Sequence, residues 1–309
     1  MASSYRPRIY VHAPYKPAPL QAQMKLMILD QIRAIGFDPQ EFQVSGLPKG
    51  DAWSFDRAIE IMRQCDGALI LALMRREESD GANTIPVPSE YSHFEGALAL
   101  SSNLPTLVIT EDGMPMRGIL LPVGGSSILP VPMQNPTAWL GTNALISTPG
   151  FEKWVENVNA RHDVFFGYCS KADNVARNIK SYLTDEAGFR VLDWATDFRP
   201  GRTIMEEIAR ATRTCRCGLF LFSKDDPIEG NVTATAVPRD NVLLEAGYFM
   251  SAHTAKRMVV VREKETKMPA DIGGMIYLTL NRRNEWKAMA KQIELTLRKQ
   301  LSDDVYART

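Results

Sequence analysis

The sequence predicts an α/β protein built from two parallel sheets in tandem, each with helices on both faces. Three observations lead there. Strand-length apolar runs alternate with helical stripes along the chain, a rhythm that right-handed crossovers turn into parallel sheets. The rhythm occurs twice, in corresponding order. The 309 residues leave room for two units of about 150 residues, and a stretch rich in proline and glycine lies between the copies.

In the first copy Ile9-Tyr10-Val11 is a β-type run, and Met24, Ile28, Ile32 and Ile35 recur at helical spacing up to a stop at Gly36. In the second, Val164-Phe165-Phe166 is the strand, Val175, Ile179, Tyr182 and Leu183 form the stripe, and Gly188 is the stop. Gly36-Phe37 and Gly188-Phe189 open the next strands. Cys65-Asp66-Gly67-Ala68-Leu69-Ile70-Leu71 can be laid on Cys215-Arg216-Cys217-Gly218-Leu219-Phe220-Leu221, and His93-Phe94-Glu95-Gly96-Ala97 on Leu243-Leu244-Glu245-Ala246-Gly247. Cys65 to Glu95 and Cys215 to Glu245 are both 30 positions, which favours duplication over a rhythm shared by any two α/β units. Each glutamate segment is followed by another apolar strand, Thr106-Leu107-Val108-Ile109 or Met258-Val259-Val260-Val261.

Pro130, Pro132, Pro136, Gly141, Pro149 and Gly150 are the punctuation expected between packed units. The predicted boundaries are a first domain at 1–135, a linker at 136–162 with Phe151 to Ala160 as a connecting helix, and a second domain at 163–309. Trp286, Met289, Ala290, Ile293, Leu297 and Leu301 make a closing core helix. Both domains are expected to be flavodoxin-like, with ligands held at the carboxyl ends of the strands.

Composition narrows the function classes. The chain has 36 basic and 36 acidic residues, so no net field steers it toward nucleic acid or anionic lipid. Its apolar runs, such as Gly67 to Met74, fall far short of the roughly 20 residues that cross a bilayer. The amino terminus lacks a signal-peptide core. A cytoplasmic protein without nucleic-acid or membrane partners is expected. Cysteines at 65, 169, 215 and 217 match no zinc or redox spacing, so core packing with reduced thiols is the reading, and no metal site is expected. Gly-x-Gly-x-x-Gly, Walker, Gly-x-Ser-x-Gly and His-Glu-x-x-His motifs are absent.

The candidate for chemistry is Glu245. The run Asn241-Val242-Leu243-Leu244-Glu245-Ala246-Gly247-Tyr248-Phe249-Met250 reads as an almost wholly apolar helix, in which an ionised carboxylate is expensive. Asn241, Glu245 and Tyr248 stand at i, i+4 and i+7, which puts an amide, a carboxylate and a phenol on one side, suited to gripping ribose hydroxyls. The plainer alternative is that Glu245 pairs with Arg239 or caps a backbone group. Upstream, Asp197-Phe198-Arg199-Pro200-Gly201-Arg202-Thr203-Ile204 is a Pro-Gly turn with Thr203 as a helix cap and Glu206 and Glu207 in the first turn. Such a loop can meet phosphate, or it can be a solvated turn whose arginines touch only water or nearby acids.

An ordered set of segments carries a family resemblance. It comprises Val164-Phe165-Phe166-Gly167-Tyr168-Cys169-Ser170, Pro200-Gly201-Arg202-Thr203-Ile204, Phe222-Ser223-Lys224-Asp225-Asp226, Arg239-Asp240-Asn241-Val242 through Phe249, and Met268-Pro269-Ala270-Asp271-Ile272-Gly273-Gly274. The second half resembles the Toll/interleukin-1 receptor (TIR)-like domain of bacterial anti-phage effectors associated with cyclic-nucleotide signalling. The resemblance implies NAD+ glycohydrolase activity, with Glu245 as the catalytic carboxylate and NAD+ as substrate, without cofactor or metal. It also implies substrate contacts from Tyr168, Ser170, Arg199, Gly201, Arg202, Thr203, Asp225, Arg239, Asn241 and Tyr248. The product would be ADP-ribose or a cyclic ADP-ribose, made by a homo-oligomer that responds to a cyclic-nucleotide or other signal.

The first half resembles the same superfamily less closely, and Arg57-Ala58-Ile59 through Cys65-Asp66-Gly67, Glu90 and Glu95-Gly96-Ala97-Leu98-Ala99 are similar to nucleoside deoxyribosyltransferase-like domains. It lacks the Arg-Asp-Asn-Val block and carries Ser45-Gly46-Leu47-Pro48-Lys49-Gly50-Asp51 where the Pro-Gly-Arg-Thr loop should be. A regulatory role fits it as well as a second site at Glu95. Two rival readings of the chain follow: a non-catalytic nucleotide-sensing or interaction module, or a nucleoside N-glycosidase or transferase working through Glu95.

Overall fold

The computed structural model describes residues 6–41, 54–81, 83–122, 126–228, 236–253, 257–270 and 276–302. The segments 45–51 and 271–274 singled out above lie outside the described residues. Contacts cluster into two compact units that divide between Ala160 and Arg161.

The amino-terminal unit runs β1 (Arg8–His12), α1 (Pro19–Ala34), β2 (Asp38–Glu41), α2 (Phe55–Met62), β3 (Gly67–Ala72), the strands β4 (Arg76–Asp80) and β5 (Asn83–Val87), α3 (Glu90–Ser101), β6 (Thr106–Glu111), β7 (Ser126–Val131), α4 (Pro136–Gly141) and α5 (Pro149–Asn159). Its parallel sheet has the order β2-β1-β3-β6-β7. Met24, Ile28 and Ile32 of α1 pack on one face with residues of α4 and α5. Ala58, Ile61 and Met62 of α2 pack on the other with Ala99 of α3. The antiparallel pair β4-β5 was not foreseen, because Arg76-Glu77-Glu78-Ser79-Asp80 has no apolar alternation to announce a strand.

The segment 136–162 is not a linker. Leu140, Leu145, Phe151, Trp154 and Val158 are buried in the amino-terminal core, and Trp154 Nε1 donates to the carbonyl of Pro105 at 3.0 Å. The prolines misled because two of them are helix starters: Pro136 and Pro149 each open a helix capped by Asn135 or Thr148, the position where a missing N–H costs nothing.

The carboxyl-terminal unit runs β8 (His162–Tyr168), α6 (Asp173–Ser181), β9 (Val191–Asp193), α7 (Ile204–Thr214), β10 (Cys215–Phe222), α8 (Asp240–His253), β11 (Met258–Glu263), β12 (Leu278–Leu280) and α9 (Trp286–Ser302). The parallel order β12-β11-β10-β8-β9 repeats that of the first unit strand for strand. α6 and α9 cover one face, α7 and α8 the other. The central strand β10 is buried throughout, Cys215 and Cys217 included, and burial pushes their thiols up to about 12 and about 11. Gly36 and Gly188, the two predicted stops, sit at φ +89 and +75, the left-handed conformation that glycine reaches most cheaply. Among the described residues no helix is long and apolar enough to cross a membrane.

Candidate functional site

Strand order places the site. In the order β9-β8-β10 the chain turns back on itself, and the crevice beyond the carboxyl ends of β8 and β10 is where such sheets take ligands. Glu245 reaches that end from α8. It is 7% exposed, and its surroundings are apolar: Val242, Ala246 and Phe249 of its own helix pack with Phe165 and Phe220 of the sheet. A glycine makes the approach close. Gly167 faces Phe220 across β8 and β10, and a Cβ at Gly167 would lie 2.7 Å from Glu245 Oε2 and 2.8 Å from the Phe220 ring. Only the absence of a side chain there lets the carboxylate rest on the strand.

Glu245 is electrostatically isolated. Its Oε2 has no hydrogen-bond partner among the described residues. Burial alone raises its pKa, from the ordinary 4.5 to about 7. The pairing with Arg239 considered from sequence does not occur, because the Arg239 guanidinium lies 3.6 Å from Asp226 instead and its pKa is raised by a hydrogen bond to Cys169 and by Asp226. A lone carboxylate buried among apolar neighbours, its pKa raised toward neutrality, can act on a cationic centre or hold a proton.

The other predicted residues separate into groups. Asn241 and Tyr248 flank Glu245 on α8 and are exposed. Ser170 is exposed just beyond the end of β8. Asp225 is buried and accepts from Ser223 Oγ at 2.7 Å and from the Arg239 N–H at 2.9 Å, tying the end of β10 to the start of α8. Thr203 caps α7 and exchanges hydrogen bonds with Glu206, while Gly201 turns the loop at φ +80. Arg202 is exposed, 3.7 Å from Glu206. Arg199 is held by Glu207, with Nε at 2.9 Å from Oε1.

Tyr168 is not brought to Glu245. Side chains alternate along a strand, so Phe166 and Tyr168 enter the core under α6 and α9, and the Tyr168 hydroxyl donates to Asp193 at 3.0 Å. Burial, with Asp193 beside it, pushes that phenol well up from its usual range. Two contributors escaped the sequence reading. Gly167 lay inside an apolar strand motif with no sign of what faced it. Arg283, which donates to Glu263 at 2.5 Å and to the Lys171 carbonyl at 2.8 Å, pins the loop after β8 from a distant turn.

Residues 163–282 match the family model described as CAP12/Pycsar effector protein, TIR domain. The CD-NTase-associated protein 12 of Lachnospiraceae bacterium (strain RUG226) is 29% identical over 140 residues, covering 44% of this chain and 44% of that protein. That of Sphingobacterium faecium is 23% identical over 132 residues, 42% of this chain and 40% of that one. The Pycsar effector protein BcPycTIR of Burkholderia cepacia is 26% identical over 152 residues, 47% of this chain and 50% of that one. The matched region thus spans half or less of each relative. A TIR domain of the Toll-related receptor TRR-2 from Hydra magnipapillata aligns at 14% identity and TM-score 0.35 over 44% of this chain and 98% of that one, too loosely to bear on the site. Residues 163–282 are thus similar to the TIR domain of CAP12/Pycsar effector proteins.

Proposed function

We propose that the carboxyl-terminal unit is an NAD+ glycohydrolase in which Glu245 is the catalytic residue. The observation that carries this reading is the lone buried carboxylate resting on Gly167 at the carboxyl end of the parallel sheet. Cleavage breaks the bond between the nicotinamide nitrogen and the ribose C1′. The bonding pair leaves with nicotinamide, which departs neutral, and the ribose becomes oxocarbenium-like. A carboxylate in low dielectric stabilises that cation strongly. The positively charged nicotinamide ring of the bound substrate favours the ionised form of Glu245 on arrival. Water then adds at C1′ and loses a proton, giving ADP-ribose; capture by a nucleophile of the substrate itself gives a cyclic ADP-ribose.

Asn241 and Tyr248 supply an amide and a phenol for the ribose hydroxyls, and Ser170, Arg202 and Arg239 are the polar side chains left for the rest of the dinucleotide. Gly201, Thr203, Arg199 and Asp225 act by shaping the two loops. The relatives named as CD-NTase-associated and Pycsar effectors support a cyclic-nucleotide signal as the trigger; that the active species is a homo-oligomer is part of the proposal.

The test is to incubate concentrated full-length protein with NAD+ and a panel of cyclic mono- and dinucleotides, following free nicotinamide by chromatography in wild type and in Glu95→Gln. Release that survives Glu95→Gln supports the reading. Release abolished by a folded Glu95→Gln but kept by Glu245→Gln moves the chemistry to the amino-terminal unit.

A further inference from the structure

The amino-terminal unit holds a set of reactive groups that neither the proposed NAD+ chemistry nor any glycosidic chemistry at Glu95 requires. Four polar side chains run in a hydrogen-bonded line from its core to the wall of a cavity. Glu95 on α3 is 3% exposed, and its Oε2 accepts from the Tyr10 hydroxyl at 2.5 Å and lies 3.0 Å from His12 Nδ1. His12 Nε2 lies 3.0 Å from Ser92 Oγ, which lies 3.1 Å from Ser89 Oγ. His12 and Ser92 are buried. Ser89 is half-buried and lines a cavity of about 360 Å³ together with Tyr15, Arg75 and Glu95.

Chemistry fixes the direction of this line. A carboxylate oxygen only accepts, so His12 Nδ1 carries the proton that faces Glu95, and the neutral ring leaves Nε2 as an acceptor. Ser92 therefore donates its hydroxyl proton to Nε2, and the lone pairs of its oxygen are left to take the proton of Ser89. Every donor in the line points away from the cavity, so a proton leaving Ser89 has a base two short steps away. A bridging hydroxyl serves a general base as one water does. A serine, a base and a third group that orients the base make the arrangement that activates a nucleophile.

Ser89 is also placed for the charge that such a reaction develops. It is the N-cap of α3, its Oγ accepting from the Ser92 N–H at 3.3 Å. An oxyanion formed on a group bound to Ser89 thus develops at a helix N-terminus, where the dipole and the first-turn N–H groups favour negative charge. Arg76 is taken by Glu78 and Glu90. Arg75 donates to the Tyr15 carbonyl at 3.2 Å and has no ion pair among the described residues, which leaves its charge for an anionic group of a substrate.

We propose that Ser89 is the nucleophile of an esterase whose substrates are small carboxylic esters bearing a second, negatively charged group. Ser89 Oγ bonds to the ester carbonyl carbon while its proton passes to Ser92 Oγ and the Ser92 proton passes to His12 Nε2. The tetrahedral adduct collapses by breaking the bond to the alcohol oxygen, which leaves with the bonding pair and takes a proton back along the same line. Water adds to the acyl-Ser89 ester by the same path, releasing the carboxylic acid and restoring the Ser89 hydroxyl.

The test uses the full chain without NAD+ or cyclic nucleotide, so it stands whatever the carboxyl-terminal unit does. Diisopropyl fluorophosphate is expected to phosphorylate Ser89, located by peptide mass spectrometry. Para-nitrophenyl acetate and the mono-para-nitrophenyl ester of succinic acid are expected to be hydrolysed, about 100-fold or more slowly by Ser89→Ala. Ser92→Ala is expected to lower kcat about 100-fold with little change in KM, a split that a loosened site would not give. Arg75→Ala is expected to cost the succinate ester about tenfold more in kcat/KM than the acetate. The labelling needs no variant, so it decides the question if Ser89→Ala, which forfeits a helix cap, fails to fold. The proposal is overturned if wild type takes up no label at Ser89, if a folded Ser89→Ala or Ser92→Ala keeps the wild-type rate, or if Arg75→Ala slows the two esters alike.

Discussion

At the scale of the residue, apolar neighbours keep the Glu245 carboxylate from water, and that isolation costs stability. Glu245 has a folded pKa of about 7 against an ordinary 4.5, so between those values the folded chain holds more protons than the unfolded one. Stability therefore falls as pH rises through this window, by about 3 kcal/mol. Glu245→Gln removes the titration. Urea unfolding is expected to show the variant gaining on wild type between pH 5 and pH 8, and a difference that does not change with pH would show that Glu245 does not titrate there. Gly167→Ala acts on the same contact: its Cβ meets Glu245 Oε2 and the Phe220 ring. It is expected to cost about 1–3 kcal/mol and to slow nicotinamide release on the order of 100-fold, whereas near-wild-type turnover would mean the carboxylate need not sit on the strand. Glu245 was legible because a charge inside an apolar helix is costly. Gly167 was not, because only the tertiary approach of α8 gives it a role.

At the scale of the element, the loop before α7 is anchored by a buried acid. Burial pushes Glu207 up, but hydrogen bonds from Arg210 and Arg199 outweigh it and leave the pKa at about 2. The contribution is fully present above pH 4.5 and is lost as pH falls through about 2. Arg199→Ala leaves a buried carboxylate with one fewer donor, an expected loss of about 1–3 kcal/mol at neutral pH. Adding Glu207→Gln is expected to restore part of the melting temperature; no restoration would mean that Arg199 stabilises the loop by some other contact. The Thr203 cap was readable because capping is local, three residues from Thr203 to Glu206. The Arg199 to Glu207 pair was readable only as far as arginines meeting a nearby acid, because the turn at Gly201 brings together residues that no helical spacing relates.

At the scale of the whole molecule, the internal repeat was the most legible feature, since matched strands and glutamate helices recur as the same strand order in both units. The boundary was misread, because proline marks helix starts as well as loops. A chain ending at residue 135 loses Leu140, Leu145, Phe151, Trp154 and Val158 from the first core, at about 1.5–3 kcal/mol each, enough to exceed the stability of most domains. Fragment 1–160 is expected to unfold cooperatively in urea and fragment 1–135 to show no transition; equal behaviour would return α4 and α5 to the status of a linker. The most direct test of the central claim is to give full-length wild type and Glu245→Gln the same NAD+ and the same panel of cyclic nucleotides, and to measure nicotinamide release together with NAD+ binding. The account predicts release by wild type and none by the variant, with NAD+ still bound by both. Release at the wild-type rate from Glu245→Gln, or NAD+ bound equally by both and cleaved by neither under any trigger, would contradict it.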